Sequence, residues 1–180
     1  MLIHQTHPLK SGQTVTIRQA IPSDAEAVLA YIHQIAGETT FLTMTPGELQ
    51  MTPEQEAAYF QECIDTENKV FLLAVVDDTV MGACSFAGGR RQRTQHAGEF
   101  GMSVRKSDWG QGIGRLLVET LLRWARSTTV VRKVNLRVRT DNPRAIALYE
   151  RCGFVLEGTQ RHEMHVGDEF HDLHCMGLIL

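Results

Sequence analysis

Apolar and polar positions alternate over residues 14–20 and again over 133–139, where Val134, Leu136 and Val138 interleave with Asn135, Arg137 and Arg139. A period of two belongs to strands with one buried face. The apolar, β-branched run at 70–76 reads as a further strand, and Asp77-Asp78 turns it into a hairpin partner over 79–87. Strands are also predicted over 98–105 and from 154 to 158. Residues 163–166 and 170–180 flank Gly167-Asp168 and read as a terminal hairpin.

Four stretches carry helix signals instead. Pro22-Ser23-Asp24 opens a helix running to about residue 36. Thr52-Pro53-Glu54-Gln55 is a capping box with proline at the first helical position, so a second helix is expected to end near Asp65. A third follows a glycine-rich turn and runs to about Arg126. Asn142 caps a fourth, with Pro143 at its first position and Cys152-Gly153 at its end. Residues 1–13 read as a loose leader, 39–50 as an irregular connection and 88–95 as a basic surface loop. With no repeats and no linker, residues 14–180 are expected to form one α/β domain, a mixed sheet with helices on both faces.

Composition narrows the class. The 180 residues with 43% hydrophobic content and 5 prolines describe a globular chain rather than a disordered one. No apolar run approaches membrane-span length, and Met1-Leu2-Ile3-His4-Gln5 lacks a secretory pattern, so a cytoplasmic location is expected. Cys63, Cys84, Cys152 and Cys175 are scattered without C-x-x-C spacing and read as free thiols. The net charge of −3 conceals three blocks. Residues 19–68 hold nine acids and no Lys or Arg; residues 86–151 hold fourteen Lys and Arg against five acids; residues 152–180 hold one Arg against five acids. Such a division suits an anionic ligand on the basic block and a cationic one near the acidic flanks. Nucleic acid is disfavoured as the anion, because core positions interrupt the basic block and no recognised binding module appears.

The anion site has a sequence of its own. Trp109-Gly110-Gln111-Gly112-Ile113-Gly114-Arg115 lies between a strand and a helix, where glycines let backbone N–H groups approach a phosphate at the positive end of the helix dipole. Arg115 stands where a G-x-G-x-x-G fingerprint needs glycine, and the Lys-Ser/Thr of a Walker loop is missing. A second motif, Asn142-Pro143-Arg144-Ala145-Ile146-Ala147-Leu148-Tyr149-Glu150-Arg151-Cys152-Gly153-Phe154, lies a strand and a turn downstream. In that order the two motifs resemble the GNAT superfamily of acetyl-CoA-dependent N-acetyltransferases, over roughly residues 14–180. Trp109 departs from the Gln or Arg that usually opens the first motif.

The resemblance implies a GNAT fold: a mostly antiparallel sheet of about seven strands, splayed near the cofactor, with helices on both faces. It implies acetyl-CoA as co-substrate and no metal. Trp109, Gly110, Gln111, Gly112, Ile113 and Gly114 would hold the pyrophosphate, Arg115 would add charge, and Asn142 would either touch the cofactor or serve as a helix cap. The backbones of Met102, Ser103 and Val104 would bind the pantetheine arm like a missing strand, with the Met102 N–H as an oxyanion donor. Tyr149 would protonate the departing thiolate, and Glu99, with His96 as the alternative, would act as base towards the amine.

A primary amine is therefore the expected acceptor, either a polyamine-like small molecule or a basic peptide N-terminus, with Glu38 and Glu48 as candidate contacts. A non-catalytic acyl-CoA-binding module is the rival, and a homodimer stays open. His162-Glu163-Met164-His165 and His171-Asp172-Leu173-His174 invite a metal reading, but H-E-x-x-H spacing is missing.

Overall fold

A computed structural model describes residues 3–180. Among these, eight strands form one sheet: β1 (His4–Pro8), β2 (Thr14–Gln19), β3 (Lys69–Val76), β4 (Thr79–Gly88), β5 (Ala97–Val104), β6 (Lys133–Arg139), β7 (Val155–Val166) and β8 (Glu169–Ile179). Their order is β1-β2-β3-β4-β5-β6-β8-β7. All neighbours run antiparallel except β5 and β6. The single parallel pair needs a crossover, which the glycine turn and α3 (Ile113–Ser127) supply.

Two differences from the sequence reading concern strands. Residues 1 and 2 lie outside the described part, but the rest of the expected leader contains β1, paired from His4↔Arg18 to Pro8↔Thr14. The segments at 154–158 and 163–166 belong to one strand, β7, whose register on β8 shifts at Leu156/Gly158 and Gln160/Met164. Bulges absorb the extra residues, and His162 takes a positive φ of 53° with its N–H donated to Asp172 Oδ1 at 2.9 Å. The sheet expected to hold about seven strands has eight among the described residues.

The helices start where their caps stand. Thr52 accepts from the Gln55 N–H at 3.3 Å while Gln55 Oε1 accepts from the Thr52 N–H at 2.9 Å, opening α2 (Pro53–Asp65). Asn142 Oδ1 accepts from the Ala145 N–H at 3.2 Å and opens α4 (Pro143–Arg151). A short 3-10 turn, Pro22–Asp24, leads into α1 (Ala25–Ala36). Asp77 and Asp78 both have positive φ, 45° and 59°, which matches the twist a two-residue hairpin requires.

Two apolar clusters cover the two faces. Ile113, Leu117, Leu121 and Ala125, four residues apart on α3, pack with Val15, Ile17, Leu72, Cys84 and Phe86. Tyr149 and Phe154 close the same cluster from α4 and the residues after it. On the other face Val28, Tyr31 and Ile35 of α1 and Phe60 of α2 meet Phe71, Leu73, Val80 and Ala83. Alternation along β5 therefore sends Phe100 and Met102 to the α3/α4 face and Ser103 to the α1/α2 face, where its hydroxyl meets Tyr31 Oη at 2.9 Å.

Two glycines of β5 separate packing from conformation. A Cβ at Gly98 would lie 2.5 Å from Phe86 Cζ and strike the Ala87 carbonyl, whereas one at Gly101 would meet nothing within 4 Å. Gly98→Ala should destabilise the fold by about 1–3 kcal/mol through overpacking. Gly101→Ala should stay within about 0.5 kcal/mol of the parent, as exposed substitutions do. Urea unfolding of both variants checks the pair.

Candidate active site

β5 and β6 pair over only three positions: Ala97↔Lys133, Gly98↔Val134 and Glu99↔Asn135. Beyond Glu99, β5 follows β4 as far as Val104, while β6 follows β8 as far as Arg139. The sheet splits there. The β6-facing edge of residues 100–104 has no strand partner, and this is the stretch expected to bind an extended ligand through its peptide groups. Met102 and Val104 turn their peptide groups to it, whereas Ser103 turns its own to β4. The Val104 carbonyl is occupied, accepting from Trp109 Nε1 at 2.8 Å.

The same strand leads into the glycine turn. Gly110 and Gly112 have φ of 88° and 98°, and Gly112 is the N-cap of α3 with no side-chain cap. Neither glycine has a neighbour within 4 Å of where a Cβ would stand. α1 and α2 carry acids in their first turns, and α3 carries none. Its N-terminal N–H groups and dipole are left uncompensated, which suits an anion. Gly114 serves packing: a Cβ there would sit 3.3 Å from Met102 Cε. Ile113 is fully buried, so it can offer a ligand only its backbone.

Side chains around the turn brace it. The Trp109 indole ties the turn to the end of β5, and the Arg144 guanidinium lies 5.2 Å from its ring centre. Gln111 Oε1 accepts from the Ser11 N–H at 3.1 Å, so the β1–β2 turn is fastened to the glycine turn. Arg115 pairs along its own helix with Glu119 at 2.6 Å. Both line a cleft of about 710 Å³ between α3 and α4, together with Arg123, Arg126 and Arg151. Four guanidinium groups against one carboxylate make this face cationic. Asn142 is engaged as the α4 cap.

Tyr149 lies on the α3/α4 face, stacked edge-on against Phe100 at 5.7 Å and against Phe154 at 6.1 Å. Burial pushes its phenol up, with the nearby Cys84 and Cys152 thiols adding to the shift. The group therefore keeps its proton at neutral pH. Among the described residues its hydroxyl has no hydrogen-bond partner, so its proton is not committed elsewhere.

Glu99 lies at the vertex of the split, on the opposite face. Its Oε1 accepts from Arg137 Nε at 3.0 Å, and Arg137 Nη1 reaches Glu163 at 3.5 Å. Glu99 and Tyr149 thus lie on opposite faces of the sheet, Glu99 at the last β5–β6 pair and Tyr149 against Phe100, the next residue of β5. Glu38 and Glu48 hold local structure: Glu38 accepts from the Lys106 N–H at 2.7 Å, and Glu48 accepts from the Thr45 N–H at 2.9 Å. His96 lies outside β5, its carbonyl accepting from the N–H groups of Arg132 and Lys133.

Among the described residues no group of three His, Cys, Asp or Glu side chains is placed to hold a metal ion. His162 and His165 both stack on Phe170, at 5.2 and 4.6 Å. His174 Nδ1 meets Thr159 Oγ1 at 2.9 Å. The four cysteines are free thiols. The sequence reading missed Arg137 and Arg139 as site residues, although both stand on the polar face of the alternating β6.

Comparison with known proteins agrees with this geometry. Residues 30–154 match the model of the acetyltransferase (GNAT) family. The chain is 26% identical over 165 residues to the L-amino acid N-acetyltransferase AaaT of Escherichia coli, covering 92% of this chain and 98% of that one. It is similar in structure to a GNAT-family acetyltransferase from Streptococcus pneumoniae, with a TM-score of 0.90, 29% identity and coverage of 92% and 99%. An acetyltransferase from Salmonella typhimurium, solved with its cofactor acetyl-CoA, shares the fold at a TM-score of 0.79 and 20% identity, over 92% and 93% of the two chains. With a split sheet, an uncapped helix behind a glycine turn and a family match over most of its length, the chain belongs to the acetyltransferase (GNAT) family.

Proposed function

We propose that the chain transfers an acetyl group to a primary amine entering from the α1/α2 face, with Glu99 as base and Tyr149 as acid. The observation that carries this reading is the parting of β5 from β6 immediately after Glu99. It opens a passage between the face that holds a carboxylate and the face that holds a protonated phenol. Acetyl-CoA supplies the acyl group as a thioester. Gly110, Gln111, Gly112, Ile113 and Gly114 grip its diphosphate through their backbones, and the cationic α3/α4 face adds long-range attraction. The free edge of residues 102–104 aligns its arm, and the Met102 N–H faces the developing oxyanion.

The proton steps follow from the two faces. An α-amino group with a pKa of about 8 loses its proton far more easily than a lysine-type amine at ~10.4. The Glu99 carboxylate takes the amine proton, directly or through a water. The neutral amine then attacks the thioester carbon: the C–N bond forms, the nitrogen gives up its second proton to solvent, the C–S bond breaks, and the Tyr149 phenol gives its proton to the leaving sulfur and recovers one from solvent.

The surroundings of Glu99 bear on the acceptor. Arg137 sits beside it, so an acid and a base face the gap together, the complement of an amine carrying an adjacent carboxylate. A small amino-acid-type acceptor is the first reading, and the activity named for the Escherichia coli relative supports it. A polyamine-like molecule or basic peptide N-terminus is the second. Arg137 is shared by Glu99 and Glu163, and a cation displacing it would meet two carboxylates. Glu38 and Glu48 add little to that reading, being spent on backbone donors.

Thiol release across amino acids, polyamines, aminoglycosides and short basic peptides tests both readings. At least a tenfold preference for one class is expected, and acetyl-CoA binding without release on any amine would favour a non-catalytic module. Tyr149→Phe should lower turnover by roughly 10²–10⁴-fold, with acetyl-CoA affinity little changed because the ring packing is kept. Since burial raises the phenol, the parent should show no basic limb from Tyr149 below about pH 10. Glu99→Gln should lower turnover by roughly 10²–10⁴-fold, and unchanged turnover would remove Glu99 as base.

A further inference from the structure

The split between β5 and β6 is open at one end, and a short piece of chain crosses that end. After the last pair, Glu99↔Asn135, β5 continues for five residues to Val104 and β6 for four to Arg139. At ~3.3 Å per residue each arm runs roughly 13–16 Å beyond the vertex. The connection from α1 to α2 touches both arms within three residues. Glu38 Oε2 accepts from the Lys106 N–H just past β5, and the Thr40 carbonyl accepts from Arg139 Nη1 at 3.0 Å at the tip of β6. Phe41 then lies under the Arg139 guanidinium, 4.9 Å from ring centre to Cζ. The segment 38–41 is a strap across the mouth of the gap.

Arg139 is built to hold it. Its side chain is only 6% exposed, an unusual place for a guanidinium. Each of its nitrogens is engaged: Nε and Nη2 form a two-pronged contact with Asp141 at 2.9 and 2.6 Å, Nη2 also meets His171 Nδ1 at 3.1 Å, and Nη1 donates to the Thr40 carbonyl. Asp141 and His171 fix the fork, and the fork fixes the strap. The other tie to β6 is weak, since Phe41 is 39% exposed. On the α1 side Glu38 is steadied by Gln34 Nε2 at 2.7 Å.

We propose that Arg139 is a positioning residue for the acceptor: it fastens the 38–41 strap over the open end of the β5–β6 gap, and the strap, with Phe41 at its edge, forms the far wall against which the acceptor lies. Arg139 shares the polar face of β6 with Asn135 and Arg137, so the strap closes the same side from which Glu99 is reached. With the amine at Glu99, the distal part of the acceptor meets the strap one arm's length away. Arg139 touches neither the thioester nor the amine. Its loss should therefore weaken acceptor binding and leave the chemical step in place. This inference rests on the reading of the gap as the transfer site.

The test uses Arg139→Met and Phe41→Ala in the full chain, the second keeping the Arg139–Asp141–His171 contacts intact. Hydrogen exchange of residues 37–42 in the free protein reads the strap without reference to activity. At least tenfold faster exchange is expected in Arg139→Met and exchange within about threefold of the parent in Phe41→Ala, with an acceptor KM raised at least tenfold in both, kcat within about threefold, and the KM for acetyl-CoA unchanged. Unchanged exchange in Arg139→Met would overturn the fastening role. A loosened strap with an unchanged acceptor KM would overturn the positioning role, as would a fall in kcat with no change in KM. If the parent chain acetylates no amine, the transfer reading fails, and exchange alone still decides whether Arg139 holds the strap.

Discussion

Three residue pairs join β5 to β6, and the rest of the site is arranged around their brevity. Each strand keeps a full-length partner on its other side, β4 for β5 and β8 for β6, so the two arms diverge without unravelling. Backbone groups along an interior edge demand partners, and an interior edge left without them is costly unless another chain or ligand completes it. The split therefore supplies a ready row of donors and acceptors in the middle of the sheet. It also interrupts the sheet where Glu99 stands on one face and Tyr149, packed on Phe100, stands on the other.

The glycine turn extends the same logic. Because only a short 3-10 turn, Lys106–Asp108, separates β5 from the glycine turn, the free edge and the positive end of α3 stay close along the chain. The positive φ at Gly110 and Gly112 is a backbone shape that glycine adopts without strain, and the missing first-turn acids leave the α3 dipole uncancelled. Trp109 contributes as a brace, its indole on the Val104 carbonyl and Arg144 across its ring. A smaller polar residue in its place would lack the reach to close that corner.

Much of this was legible from the residues. The capping box at Thr52, the cap at Asn142, the alternation of β6 and the two glycine-spaced motifs each rest on local chemistry, and local chemistry is what a sequence displays. The missing parts are non-local or polar. β1 consists of His4, Gln5, Thr6, His7 and Pro8, with no apolar face to betray it, and it exists because β2 offers an edge. β7 is interrupted by bulges that read as breaks. Glu99 was singled out, but its partner Arg137 lies 38 residues away. Arg139 and Thr40 are separated by 99 residues, a distance over which no spacing rule operates. The acidic block at 19–68 suggested a cationic acceptor, yet Glu38 and Glu48 are turned onto backbone donors, a detail that charge counting does not resolve.

The hydrogen bond from Ser11 to Gln111 joins the outermost hairpin to the turn that opens α3. Leu9, buried in the same cluster as α3, strengthens that tie. The first hairpin is thus fastened to the turn proposed to grip the diphosphate. On that reading, extensions or trims near residue 10 would not be neutral bystanders to coenzyme affinity.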